Sequence, residues 1–99
     1  MIDVTVTVEV KLLGVFQEIL KNKQMSVTIK ESKTIEEVLK KLNESISVER
    51  VQSSLPNLSD HFGRALILVN GREMGVLHGF DTCLKQGDRL TIIPVSHGG

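Results

Sequence analysis

Ninety-nine residues are enough for one domain and for a hydrophobic core that needs no metal or disulfide staple. Twelve Lys and Arg balance twelve Asp and Glu, so no net field draws the chain to nucleic acid or anionic lipid, and with no Trp or Tyr and three Phe it lacks the usual aromatic platform for stacking bases. No charged segment leads into an apolar signal region, no apolar run approaches bilayer length, and one cysteine, Cys83, cannot close an internal disulfide, so the expectation is a cytoplasmic protein of a reducing compartment that binds neither nucleic acid nor membrane directly.

The stretch DVTVTVEVKLL alternates without a break. It places Val4, Val6, Val8, Val10 and Leu12 on one face and Thr5, Thr7, Glu9 and Lys11 on the other, the pattern of a strand with one wet side. After Gly14, Val15, Phe16, Ile19 and Leu20 fall at helical spacing; KNKQ then reads as a turn into a second strand, where Met25, Val27 and Ile29 alternate, and the two strands are expected to pair as a broad hairpin. The principal helix is predicted from Thr34 to about Ile46. Thr34 and Glu37 have the spacing of a capping box, Ile35, Val38, Leu39, Leu42 and Ile46 form one apolar stripe, and Glu36 with Lys40 and Glu37 with Lys41 are spaced for i,i+4 pairs on the wet side. From Ser47 to Arg64 the pattern is weak and reads as loop. ALILV is a short continuous apolar strand, followed at once by the turn pair Asn70-Gly71. REMGVLHGFDTCL is irregular with one short edge strand, Gly87-Asp88 makes another turn, and RLTIIPV is the last strand, stopped at Pro94, which has no N–H to give a ladder. The order predicts an α+β roll in which one mixed sheet wraps the principal helix, with a domain over 1–95 and a free, flexible tail over 96–99.

Most residues of chemical interest in this chain have ordinary explanations. His61, His78 and His97 show no paired metal-ligand spacing and one cysteine adds nothing to them, so no metal site is expected. Cys83 lies in a turn-like segment with no base that the sequence fixes beside it, and Glu36 and Glu37 are accounted for by capping and ion pairing. The outer sheet face carries more information. If Leu66, Leu68, Leu90 and Ile92 point inward, Ile67 and Ile93 point outward from neighbouring strands, and an apolar pair on a wet face fits a partner surface. The alternative is that the loop from Ser47 to Arg64 folds over that face, and the alternation leaves both open.

Two closing glycines arise by chance in roughly one chain in 200 at ordinary glycine usage, so their context matters. From Val69 onward the chain reads VNGREMGVLHGFDTCLKQGDRLTIIPVSHGG. Val69-Asn70-Gly71, Asp81-Thr82-Cys83-Leu84, Gly87-Asp88, the apolar run Leu90 to Ile93, Pro94-Val95 and Gly98-Gly99 occur in the order and spacing that resemble the β-grasp sulfur carriers, the small subunit of molybdopterin synthase and ThiS-like proteins; SLPNL looks like a feature of archaeal relatives, and the tail also resembles that of the small archaeal modifiers. Cys83 stands where these relatives usually carry Pro. Ser96 and His97 both intervene between Val95 and the glycines where the molybdopterin class typically has one small residue, and His-Gly-Gly instead resembles the ending of the ubiquitin-related modifier, a sulfur carrier for tRNA thiolation that also conjugates to lysines.

That resemblance implies a β-grasp fold and a protein that is a substrate and carrier, not an enzyme. It binds no cofactor itself, and an E1-like activating enzyme uses ATP and magnesium to adenylate Gly99. Sulfur then displaces AMP to give a thiocarboxylate, or a lysine amine takes the acyl group as an isopeptide. Glycine suits both, since without a Cβ it leaves the carbonyl open and lets Gly98 and Gly99 fit a narrow channel. Implied partners are the activating enzyme and, downstream, a molybdopterin synthase large subunit, a tRNA thiolation enzyme or target lysines; Ile67, Ile93, Val95 and His97 are the residues expected to bind a partner. A β-grasp interaction module whose tail does no chemistry is the third reading.

Overall fold

The computed structural model describes residues 4–47 and 64–95, with side chains described for all of these but 45–47. Strand β1, Val6–Leu12, buries Val6, Val8, Val10 and Leu12, as its alternation requires. Val4, expected on the same face, is 61% exposed because it precedes the first ladder pair, Val6 with Ile29. Helix α1, Val15–Leu20, drives Phe16 into the core and ends at Lys21 in the left-handed conformation. The chain returns as β2, Gln24–Ile29, antiparallel to β1 with Val8 opposite Val27 and Val10 opposite Met25. This is the broad hairpin that the paired alternation predicts, with α1 as its connection.

Helix α2, Ile35–Ser47, lays Ile35, Val38, Leu39 and Leu42 on the core, each worth about 1.5–3 kcal/mol over exposure if fully buried. The side chain of Ile46, predicted to extend this stripe, lies outside the described residues. Thr34 caps the helix through its Oγ1, which accepts from the Glu37 N–H at 3.4 Å. Glu37 does not return the bond to Thr34 as a full capping box would. Its carboxylate reaches further back and accepts from the backbone N–H groups of Lys30 at 3.0 Å, Glu31 at 3.2 Å and Lys33 at 2.7 Å. Glu36 and Lys40 form the expected i,i+4 pair at 3.9 Å; a Glu37–Lys41 pair is not found among the described residues, since Glu37 is turned into the preceding loop.

The second half of the sheet comprises β3, Leu66–Val69, the two-residue β4, Arg72–Glu73, and β5, Arg89–Ile93. Asn70 (φ 51°) and Gly71 (φ 86°) make the tight β3–β4 turn with both central residues at positive φ. Asn70 is also tied to the Gly87-Asp88 turn: its Nδ2 donates to Asp88 Oδ1 and its Oδ1 accepts from the Arg89 N–H, each at 3.0 Å. Two short 3₁₀ turns, Met74–Val76 and Gly79–Asp81, carry the chain to Thr82, which is buried because its hydroxyl donates to the Gly79 carbonyl and accepts from the His78 N–H. The residues after it run along the start of α2, with Ile35 N–H donating to Thr82 C=O and Leu84 N–H to Lys33 C=O.

The sheet order is β2-β1-β5-β3-β4. β1 and β5 are parallel at the centre, the other pairs are antiparallel, and α2 crosses one face. This is the β-grasp arrangement, formed by a chain that the alternation pattern describes only as a mixed sheet on a helix. No helix among the described residues is long and apolar enough to cross a membrane.

Candidate functional site

The last strand runs through the middle of the sheet and leaves it at one end. Leu90 and Ile92 of β5 are fully buried. The Leu13 N–H, just past β1, donates to the Ile92 carbonyl at 3.2 Å, so pairing continues to the point where β5 stops. Pro94 follows, and its ring sits against Gly14. A Cβ built on Gly14 would lie 2.6 Å from Pro94 Cγ, a separation that real side chains do not tolerate. Gly14 itself has φ 57° and ψ −131°, a backbone conformation open in practice to glycine alone. Val95, 47% exposed, is the last described residue. Ser96, His97, Gly98 and Gly99, and with them the expectations for His97 and the two glycines, lie outside the described residues.

Beside this exit the outer face of the sheet differs from its sequence reading in one strand. Ile67 is not on it: the side chain is fully buried. The register shows why. Ile67 lies directly opposite Ile92 and Val69 opposite Leu90, and residues opposite one another share a face, so the core side of β5 takes Ile67 and Val69 with it. Leu66 and Leu68, expected inside, face outward opposite Ile93 and Thr91. Ile93 is outward and half-buried as expected, and Leu66 is 37% exposed. The outward apolar group is thus Leu66, Leu68 and Ile93, with Val95 two residues further along the chain. Most of the loop that could cover it, 48–63, lies outside the described residues.

The other half of this face is polar. Glu9 Oε2 accepts from Ser26 Oγ at 2.6 Å, while Lys11 and Arg89 line a shallow depression with Thr91 and form no ion pair with a described residue. Glu9 lines the same depression and lies opposite Arg89 in the register, so the edge of the apolar group is of mixed charge. Glu37, in the first turn of α2, is held strongly acidic: partial burial raises its pKa, but the backbone N–H groups of Lys30, Lys33 and Glu31 and the Ser32 hydroxyl outweigh that and bring it down to about 2. Cys83 is exposed, paired through its backbone with Thr34, and no group of three or more His, Cys, Asp or Glu among the described residues is arranged to hold a metal ion.

Gly14 escaped the sequence reading except as a boundary. No local pattern marks its contact, because Pro94 is eighty positions away and the two meet only through the β1–β5 pairing.

Comparison with known proteins agrees with this architecture. The family model described as the ThiS family matches residues 10–99. The ubiquitin-related modifier 1 homolog of Caenorhabditis elegans is 28% identical over 98 residues, which cover 96% of this chain and 98% of that protein. Among solved structures, the small archaeal modifier protein 1 (SAMP1) of Methanosarcina acetivorans superposes with a TM-score of 0.72 at 24% identity, covering 97% of this chain and 99% of that one, and the HVO 2177 protein of Haloferax volcanii with 0.69 at 25% identity, covering 96% and 88%. With the fold shared and the family match running from residue 10 through residue 99, the chain belongs to the ThiS family of ubiquitin-like sulfur-carrier and modifier proteins.

Proposed function

We propose that this protein carries sulfur as a thiocarboxylate on Gly99. The observation that carries the reading is the family match, which extends through Gly98 and Gly99 themselves. A carboxylate resists nucleophilic attack because of its charge, so it is activated first. A Gly99 carboxylate oxygen attacks the α-phosphorus of ATP, the bond to the β,γ-phosphates breaks, and magnesium pyrophosphate leaves. Sulfide-level sulfur then attacks the carbonyl carbon of the acyl-adenylate and AMP departs, leaving C(O)S⁻. The acids, bases and metal for these steps belong to an E1-like activating enzyme. This chain supplies the acyl group and a docking face, for which Leu66, Leu68, Ile93 and Val95 are the residues we assign, with Ile67 moved to the core.

A second reading is favoured by a separate observation, the His97-Gly98-Gly99 ending together with the similarity to the C. elegans modifier homolog. In it a lysine ε-amine takes the place of sulfur, AMP again leaves, and an isopeptide joins Gly99 to a target. Both products follow from one adenylate, so one protein can serve both. A molybdopterin synthase large subunit or a tRNA thiolation enzyme is the class of sulfur acceptor that the resemblance proposes.

The test is incubation with ATP, magnesium, a sulfide donor and the cognate activating enzyme, followed by intact mass. The expected product is heavier by the difference between one sulfur and one oxygen. Lysine adducts ending in Gly99 in its place establish the modifier reading, and neither product with an enzyme shown to bind the chain leaves the interaction module.

A further inference from the structure

Gly14 and Pro94 meet just beyond the last pair of the β1–β5 ladder, Leu12 with Ile92. The backbone around Gly14 is fixed on three sides. Leu13 donates to Ile92 at 3.2 Å, the Gly14 carbonyl accepts from Gln17 at 3.0 Å and Glu18 at 3.3 Å, and Phe16 N–H donates to the Leu13 carbonyl at 3.2 Å. Phe16 is itself fully buried, so the 13–18 segment is a rigid seat. Pro94 rests on it through the gap that a missing Cβ leaves, its Cγ 2.6 Å from where that atom would stand. Proline holds its own φ near −65° and confines the residue before it, Ile93, to extended backbone. The first rotatable bond of the tail therefore lies at Pro94 ψ, at a point held by the opposite end of the chain.

We propose, on the carrier reading above, that Gly14 is a positioning residue for the activation of Gly99: with Pro94 it fixes where and in which direction the tail leaves the domain. Four residues separate Pro94 from Gly99, and the five steps between them reach at most about 18 Å. When the outer face is docked on an activating enzyme, a tail of that length delivers its carboxylate to an ATP α-phosphorus only over a narrow range of departure angles. Orientation of that kind is expressed in the transition state, where a misplacement of about 1 Å is worth up to a hundredfold. Docking depends on it little: of the docking residues, Leu66, Leu68 and Ile93 lie in the sheet before Pro94, and Val95 alone follows it.

Two variants approach the contact from its two sides. Pro94→Gly removes the ring and leaves Gly14 in its conformation; Gly14→Ala drives a methyl into the ring. For Pro94→Gly we expect a folded domain with its thermal midpoint little changed, a fall of about tenfold in kcat for ATP–pyrophosphate exchange with the cognate activating enzyme, the scale of releasing one backbone residue, and a KM for the carrier within about twofold of the parent. In the same variant the ¹H–¹⁵N heteronuclear NOE at Val95 should drop. Gly14→Ala should reproduce the loss of kcat, and adding Pro94→Ala to it, which removes the clashing Cγ, should recover part of it. An unchanged Val95 NOE, or parent kcat in Pro94→Gly, overturns the positioning role. So does a raised KM at constant kcat, which would make Pro94 a docking contact. No exchange with the unmodified chain overturns the carrier reading and this role with it, and is distinguishable because the parent protein then fails before any variant is compared.

Discussion

Glu37 ties helix α2 to the loop before it with one carboxylate, and this gives the fold an acid-sensitive joint. The group ionises at about 2 in the folded protein against an ordinary value of 4.5, because three backbone N–H donors and a hydroxyl face it. A carboxyl whose pKa is depressed on folding contributes stability that is fully present above 4.5 and is lost as the pH falls toward 2. Urea unfolding followed across that window should show stability declining, and Glu37→Gln should flatten this part of the profile while lowering stability at neutral pH by about 1 kcal/mol, the scale of a lost helix cap. A decline of the same steepness in the variant would place the acid sensitivity elsewhere. The Thr34–Glu37 spacing announced a cap in the sequence. That the carboxylate serves the backbone of 30–33 instead of Thr34 was not legible, because it depends on Lys33 taking positive φ and folding the loop over the helix start.

At the scale of the strands, what could be read and what could not is set by alternation. β1 and β2 alternate strictly, so their inner faces follow from spacing alone, and the structure has Val6, Val8, Val10, Leu12, Val27 and Ile29 buried. β3 is apolar at every position. Period two has nothing to grip there, and only its register against β5 decides that Ile67 and Val69 go in while Leu66 and Leu68 go out. The two kinds of position should separate cleanly by measurement. Ile67→Ala should lower unfolding free energy by about 2–5 kcal/mol, as expected for a fully enclosed side chain. Leu66→Ala and Ile93→Ala should cost stability far less, and Leu66→Asp should weaken binding to the activating enzyme in a direct affinity measurement. Parent affinity in Leu66→Asp would remove this face from the docking surface; a Leu66→Ala loss as large as that of Ile67→Ala would mean that a further part of the chain packs over it.

In the molecule as a whole, the first strand holds the last. β1 lies between β2 and β5 and pairs in parallel with β5 from Glu9 with Arg89 to Leu12 with Ile92, so the root of the tail is built by residues from the opposite end of the sequence. The two termini are therefore unequal. Among the described residues the buried hydrophobic side chains run from Val6 to Ile92, and the sequence beyond Val95 offers three small residues and one histidine, none of them a large apolar group. Removing residues 96–99 should shift the thermal midpoint by no more than about 3 °C, the equivalent of a neutral surface change in a domain of this size, and should abolish ATP-dependent activation completely. Removing residues 1–9 should instead take away most of a central strand, expose the edges of β2 and β5, and leave a chain without a cooperative unfolding transition. If deletion of 96–99 lowered the midpoint as a core substitution does, the tail would be part of the domain and the boundary at Val95 would be misplaced. If the deleted chain were still activated, the reacting group would lie elsewhere than Gly99. A stable domain with no activation is the combination expected of a carrier whose fold exists to hold one short segment at a fixed point.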